Sequence, residues 1–448
     1  MNKSGANKKP SPPIEIIPDR LYWLSAEEPP RHEPKVFFFC VDKDLVYESF
    51  FEDFGPLDIA KSCKFVTALE KILKDPQYKD YHIYHYTSLD TGKRANAACL
   101  MGIYQMLSLG RTAYDSWSYF KNVTPPLADF RDASSGPSTY SCSILDVLRG
   151  LEYAMMTGLF DRKQFNVKEY EHYEKIENGD LNWVIPGKLI AFVGPAESKE
   201  EALEIGSLTP EEYCAIFKKL GVKHVVSLSK RKYNENAFIK GGFNFTDLYF
   251  TDGSVPSFEV VAKFLEVCEN EPSAIAVHCK AGLGRTGTLI GCYAMKHYKF
   301  CAAEFIGWIR LCRPGSVLGP QQQFLCEIEE YMHSLAEESP IYKNIYPNLE
   351  TYLEQNKEIQ KERKTLTKQK AEEASQFEKK IAIYGENNQG QKLLEAKNRF
   401  GPFQLKSIWK LAGGSTSTDS TLSPGSEDKS ASSTKSDLIG QMASPTLS

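Results

Sequence analysis

The sequence predicts an α/β protein made of two successive domains, each a central sheet flanked by helices, followed by a polar tail. Three observations predict it. Short apolar runs alternate with helix-period segments twice, once from Ile14 to about Phe165 and again from Trp183 to about residue 340. A polar, acidic stretch through Glu171, Glu174 and Glu177 to Asn178-Gly179-Asp180 lies between the two patterns. Beyond Ile341 the apolar residues thin out. The expected boundaries are 1–13 disordered, 14–165 first domain, 166–180 linker, 181–340 second domain, and 341–448 a tail that is part helical, then disordered.

In the first pattern, Val36-Phe37-Phe38-Phe39-Cys40-Val41 reads as a strand and Ala60 to Leu73 as a helix. A strand at Tyr81 to Tyr86 follows, then a helix from about Ala95 to Leu107 and another over 143–157. In the second pattern, strand Leu189 to Val193 leads to a helix that opens with a capping box, Thr209 to Glu212, and Pro210 at its first position. Strands at Val225 to Leu228 and Leu248 to Phe250 come next. A helix from Ser257 to Cys268 would put Phe258, Val261, Phe264, Leu265 and Cys268 on one face. Residues 350 to 380, rich in Glu, Lys and Gln, suit a solvated helix better than a coiled coil. From Gly413 to Ser448 the chain is Ser/Thr-rich and expected to be disordered.

A net charge of −4 argues against a protein that coats nucleic acid. No apolar run approaches the roughly 18 residues of a membrane span, and the first ten residues lack a signal-peptide core. The expected location is therefore the cytoplasm and nucleus. Eleven cysteines, none spaced C-x-x-C, argue against a disulfide framework or a zinc site. No metal or cofactor is expected.

The chemistry concentrates in Val277-His278-Cys279-Lys280-Ala281-Gly282-Leu283-Gly284-Arg285-Thr286-Gly287. A strand (Ala274 to Val277), a glycine-bearing turn and a helix start aim several backbone N–H groups at one point, which suits a phosphate. A cysteine there feels the same donors, and its pKa should fall below the free value of about 8.5. Arg285 can fork two donors onto phosphate oxygens while the thiolate attacks phosphorus in line. Lys280, Ala281, Gly282, Leu283, Gly284 and Thr286 complete the phosphate-binding loop. The run resembles the His-Cys-x5-Arg-Thr loop of protein tyrosine and dual-specificity phosphatases. The alternatives are a buried structural cysteine and a loop that binds phosphate without turning it over.

Ester cleavage also needs a proton donor. Asp252, in Thr251-Asp252-Gly253-Ser254-Val255-Pro256, is the favoured candidate because it follows a strand as the nucleophile does, and Asp247 is the alternative. Thr286 could hydrogen-bond the sulfur, and His278 reads as support for the loop rather than a base. Gln321-Gln322-Gln323 could line the cleft or simply start a helix. The segment His85 to Asn96 repeats the pattern strand, His, loop, basic residue, helix, with Tyr86 in the cysteine's place. Pattern alone leaves open whether it is a decayed copy of the same unit. Glu171 and Glu174, three apart, read by themselves as a solvated helix face.

Together these residues resemble the cell-division-cycle fourteen family of dual-specificity phosphatases. The most specific stretches are His278 to Thr288, Arg313-Pro314-Gly315-Ser316-Val317, Gly319 to Phe324 and Glu169-Tyr170-Glu171-His172-Tyr173-Glu174, with Phe54-Gly55-Pro56-Leu57 and Arg131-Asp132-Ala133-Ser134 in the first domain. The resemblance implies two tandem phosphatase-like domains, the first inactive, packed across a linker helix with a substrate groove between them. It places the nucleophile on Cys279, the phosphate clamp on Arg285, the general acid on Asp252 and an acidic groove on Glu171 and Glu174, with Asp180 a lesser candidate. It implies phosphorylated protein substrates, phosphoserine followed by proline with a basic residue further on, and a role in mitotic exit or cytokinesis. It also allows concentration at the spindle pole, centrosome or nucleolus. Ser227 and Ser229 stand where the family usually has arginine and asparagine, which bears on fine preference. The rivals are an inositol-phospholipid phosphatase, weakened by Leu283 where such loops carry a second lysine, and a phospho-binding scaffold.

Overall fold

A computed structural model describes residues 11–136, 138 and 140–345, and beyond them residues 350, 365, 392, 393 and 396. The chain divides into two units, Met1–Ser407 and Ile408–Ser448. Both sheets lie in the first, and the second is outside the described residues. The expectations for residues 1–10, for most of 350–380 and for 413–448 likewise fall outside them.

The first sheet is formed by β1 (Ile14–Ile17), β2 (Leu21–Ser25), β3 (Val36–Phe39) and β4 (His82–Thr87), in the order β1-β2-β4-β3. Its helices are α1 (Ile59–Lys74), α2 (Thr91–Leu109), α3 (Ala113–Ser118) and α4 (Ile144–Met156). The linker carries α5 (Val167–Tyr173). The second sheet contains β5 (Leu181–Ile185), β6 (Leu189–Phe192), β7 (Val222–Ser227), β8 (Asn244–Asp247) and β9 (Ala274–His278), in the order β5-β6-β9-β7-β8. Around it run α6 (Lys199–Ile205), α7 (Pro210–Lys219), α8 (Asn236–Lys240), α9 (Phe258–Asn270), α10 (Gly284–Tyr298), α11 (Ala302–Cys312) and α12 (Pro320–Ser334).

The two sheets share a plan. In each, the first two strands pair antiparallel, the second pairs parallel with a central strand, and that strand pairs parallel with the next. The central strands are β4 and β9, and each leads into a helix through the loop that the sequence pattern matched. In the first domain that loop is tied down by groups from other segments. Asp42 accepts from the Thr87 hydroxyl and from the Ser88 N–H, both at 2.9 Å. Arg94 is turned to Ser25 and the Pro125 carbonyl. A carboxylate thus holds a loop N–H.

Both capping-box and helix-start expectations hold for α7, where Thr209 and Glu212 bond each other's backbone N–H. Two expectations need correction. Phe258 is 62% exposed, because it is the first residue after the Ser257 cap and the buried face of α9 begins one turn later, at Val261. The strand expected at Leu248 to Phe250 lies earlier, at β8, where β7 offers a pairing edge. Leu248 to Phe250 are instead a loop that carries the chain to Asp252.

The two domains meet across α4 and α11 with almost no side chain between the backbones. A Cβ on Gly150 would lie 2.3 Å from the Glu304 carbonyl oxygen, and one on Gly307 would lie 2.5 Å from that of Asp146. Tyr153 donates to the Tyr298 carbonyl at 2.9 Å, and Asp132 accepts from the Gly319 N–H at 2.8 Å. These contacts fix the N-terminal domain beside the loop that follows β9.

Candidate active site

β9 is buried along its whole length between β6 and β7, so its apolar residues hold the loop after it in a fixed place. Gly282 turns the loop with φ +68, and a Cβ there would lie 2.0 Å from the Phe192 carbonyl oxygen. α10 then begins at Gly284.

Four successive loop carbonyls are drawn outward. That of Cys279 is bonded by His278 Nδ1 at 2.8 Å and by the Ser229 hydroxyl at 3.1 Å. The Lys280 carbonyl takes the Gly194 N–H at 2.9 Å. Arg313 donates to the Ala281 and Gly282 carbonyls at 3.0 and 2.8 Å, and is itself held by Asp180 at 2.9 Å and Asn182 at 2.6 Å. With the carbonyls tied outside, the loop's N–H groups are left for the interior of the turn, where an anion is stabilised. His278 is buried, and its pKa is pushed down to about 4, so the ring is neutral. Its Nδ1 then carries the hydrogen and donates it to the Cys279 carbonyl oxygen, and its Nε2 accepts from the Tyr233 hydroxyl, 2.6 Å away.

Cys279 and Arg285 are each 3% exposed. Burial pushes the Cys279 thiol up, but the Arg285 guanidinium and the Thr286 hydroxyl and N–H outweigh it, and the net pKa lies below the ordinary value. Every other cysteine whose pKa moves is raised by burial. Arg285 is anchored by the Leu228 and Phe250 carbonyls at 3.1 and 3.0 Å and pairs with Asp252 at 3.1 Å. Its buried Nε makes no hydrogen bond within the described residues. The structure therefore brings Cys279, Arg285, Asp252 and Thr286 together.

Gln321 explains how Asp252 is held. Its amide N donates to the Ser254 carbonyl at 3.1 Å, and its amide oxygen takes the Leu318 N–H at 3.2 Å. All three glutamines, 321 to 323, are buried. Gln321 braces the loop that carries Asp252. Asp247, the alternative acid, is instead paired with Arg231 at 2.9 Å.

Glu171 and Glu174 lie on and just after α5. That helix is fastened near the site by Tyr170, which donates to the Cys312 carbonyl at 2.9 Å, one residue before Arg313. Glu171 is paired with Lys64 of α1. Lys61, one turn away and bound to Asp58 at 2.7 Å, also feels the Glu174 charge. Asp180 requires correction: it is fully buried under Arg313, a support for the loop and not a groove wall. Ser227 and Ser229 likewise hold backbone, since Ser227 reaches the Ser229 carbonyl and Ser229 that of Cys279.

Comparison with known proteins agrees with this architecture. The family described as "Dual specificity protein phosphatase, N-terminal half" matches residues 15–154, and "Dual specificity phosphatase, catalytic domain" matches 205–334. The chain is 46% identical over 335 residues to human "Dual specificity protein phosphatase CDC14A", covering 75% of this chain and 56% of that one. It is 45% identical over 309 residues to human "Dual specificity protein phosphatase CDC14C", covering 69% of each. It is 37% identical over 322 residues to the fission-yeast (Schizosaccharomyces pombe) "Tyrosine-protein phosphatase CDC14 homolog", covering 70% of this chain and 60% of that one. The chain spans about half the length of the CDC14A relatives it matches. With two dual-specificity-type domains in tandem and this identity across both, the chain belongs to the CDC14 family of dual specificity phosphatases.

Proposed function

We propose that this protein is a cysteine-dependent protein phosphatase, acting on phosphoserine, phosphothreonine and phosphotyrosine through a phosphocysteine intermediate. The observation that carries the reading is the thiol of Cys279, lowered against the cost of its burial and set in one ion-paired group with Arg285 and Asp252. In the first step the thiolate attacks phosphorus, the P–S bond forms, the P–O ester bond breaks, and the leaving oxygen takes the proton of Asp252. Arg285 turns from Asp252 to fork the equatorial phosphate oxygens. In the second step the Asp252 carboxylate takes a proton from water, whose oxygen attacks phosphorus. The P–S bond breaks, and the returning thiolate is met by the Thr286 hydroxyl. No metal or cofactor is needed for either step.

Substrate preference follows from the acidic pair. Glu171 and Glu174 would receive a lysine or arginine a few residues beyond a phosphoserine-proline site, in proteins of mitotic exit or cytokinesis. The test is Cys279→Ser, which nearly keeps volume but leaves a protonated, poor nucleophile. Turnover should vanish while phosphopeptide binding persists, and proteins trapped by the variant should carry Ser-Pro sites with a basic residue. Near wild-type turnover by the variant would overturn the mechanism. Trapped proteins without such sites would overturn the preference alone.

A further inference from the structure

Among the described residues, the sheet of the N-terminal domain buries one face and leaves the other partly open. Burial alternates along its two inner strands. Leu21, Trp23 and Ser25 of β2 and Ile83, His85 and Thr87 of β4 are buried, whereas Tyr22, Leu24, Tyr84 and Tyr86 between them are half-buried. In the catalytic domain, by contrast, every residue of β6 and β9 is buried.

The open face carries an aromatic row. Glu15 pairs with Tyr22, Tyr22 with Tyr84 and Tyr84 with Phe38, so these four residues run straight across β1, β2, β4 and β3. The Tyr22 and Tyr84 rings stack with centroids 4.6 Å apart, and Phe38 lies 5.1 Å from Tyr84 and 6.5 Å from Tyr86. His82, exposed at the end of the same face, has its ring 5.9 Å from that of Tyr22. The rings form one contiguous patch, which scattered surface aromatics do not.

The border of the patch is acidic. Glu15 accepts from the Tyr22 hydroxyl at 3.0 Å and from the Asp19 N–H at 2.9 Å. Burial raises all three phenols, and negative groups raise them further: Glu15 and Asp19 beside Tyr22, Glu33 and Glu15 beside Tyr84, Cys40 and Asp42 beside Tyr86. Ring faces are themselves electron-rich, so the patch attracts cations and repels a polyanion such as single-stranded nucleic acid. A guanidinium fits it better than an ammonium. It is flat and weakly hydrated, and it can lie on a ring while its edge donates to a carboxylate.

We propose that this face docks an arginine-rich segment of a partner protein, with guanidinium groups lying on the Tyr22–Tyr84–Phe38 row and paired to the carboxylates around it. The surface is distinct from Glu171 and Glu174, which stand on and just after α5. Binding here does not require turnover.

The experiment titrates a fluorescent nona-arginine peptide onto the full chain, beside nona-lysine and nona-glutamate peptides. Arginine should bind several-fold tighter than lysine, and glutamate should not bind. Tyr22→Ala with Tyr84→Ala should raise the nona-arginine Kd about 4–25-fold, from two rings at about 2–5-fold each. Tyr22→Phe with Tyr84→Phe keeps both ring faces and should bind as wild type. An unchanged Kd in an alanine variant that melts as wild type overturns the proposal. So does a greater loss in Glu171→Lys with Glu174→Lys, which would put the peptide on α5. Should the alanine variant fail to fold, Glu15→Gln with Glu33→Gln, at two exposed positions, is titrated instead, and an unchanged Kd is again fatal. Tighter binding of oligouridine than of nona-arginine would make the face a nucleic-acid platform. A wild-type dimer that the tyrosine variant dissolves would make a second copy its occupant. Either result overturns the arginine-rich partner.

Discussion

Cys279 is subject to opposed influences that single substitutions separate. Burial raises its pKa, Arg285 and Thr286 lower it, and the charge of Asp252 raises it again. Only the thiolate is alkylated, so the pH midpoint of iodoacetate reaction reads the balance directly. Arg285→Ala removes a lowering charge and should move the midpoint up. Asp252→Asn removes a raising one and should move it down, leaving more thiolate at acid pH. Movement of both in the same direction would contradict the assigned charges. Asp252→Ala should also slow alkyl phosphates by about 10²–10⁴-fold and acidic phenyl phosphates much less, since a good leaving group needs little protonation. Equal loss on both substrates would point to a misplaced loop instead. That Cys279, Arg285, Asp252 and Thr286 come together was legible in the sequence because three of them share one short run and Asp252, like Cys279, follows a strand. Arg313, Tyr233 and Gly194 were not legible as loop anchors. Each works by a hydrogen bond between segments distant in sequence, and only the sheet order brings those segments together.

Among the elements, the contact of α4 with α11 shows what a sequence conceals. Residues 143–157 read only as a helix, and nothing in the periodicity of α4 or α11 marks Gly150 or Gly307 as points where two backbones touch. The strands and helices along the chain were legible from apolar period and caps, as in α7. Failure came where tertiary pairing decides, as in the placing of β8, or where a helix start is exposed, as at Phe258. Gly307→Ala puts a methyl 2.5 Å from the Asp146 carbonyl oxygen, a backbone atom that cannot rotate away. Such overpacking costs about 1–3 kcal/mol. Urea unfolding should show this as a lower midpoint with both sheets still formed. An unchanged midpoint would mean the helices part freely, and that the N-terminal domain is not fixed beside the active site.

At the scale of the molecule, Asp42 takes a loop N–H of the N-terminal domain, and α1 of that domain stands as a wall beside α5. That wall is charged. Lys64 of α1 pairs with Glu171, so the acidic groove proposed for a basic substrate residue already holds a cation of its own. Both side chains are half-buried but still reach solvent, and a solvated pair is worth only about 0.2–1 kcal/mol, little enough for a substrate lysine or arginine to displace. Two charge changes then act in opposite directions. Glu171→Lys with Glu174→Lys should raise the KM of basic phosphopeptides strongly, and Lys64→Met should lower it by a few-fold at most. Neither should alter kcat on a small aryl phosphate, because Cys279 and its loop are untouched. Both effects should fade as salt rises, since charges are screened over about 10 Å at 0.1 M ionic strength. A double variant that handles basic and neutral peptides as the wild type does would make the acidic pair plain surface. A Lys64→Met variant with wild-type KM beside a double variant that fails would leave the groove standing and remove only its internal competitor.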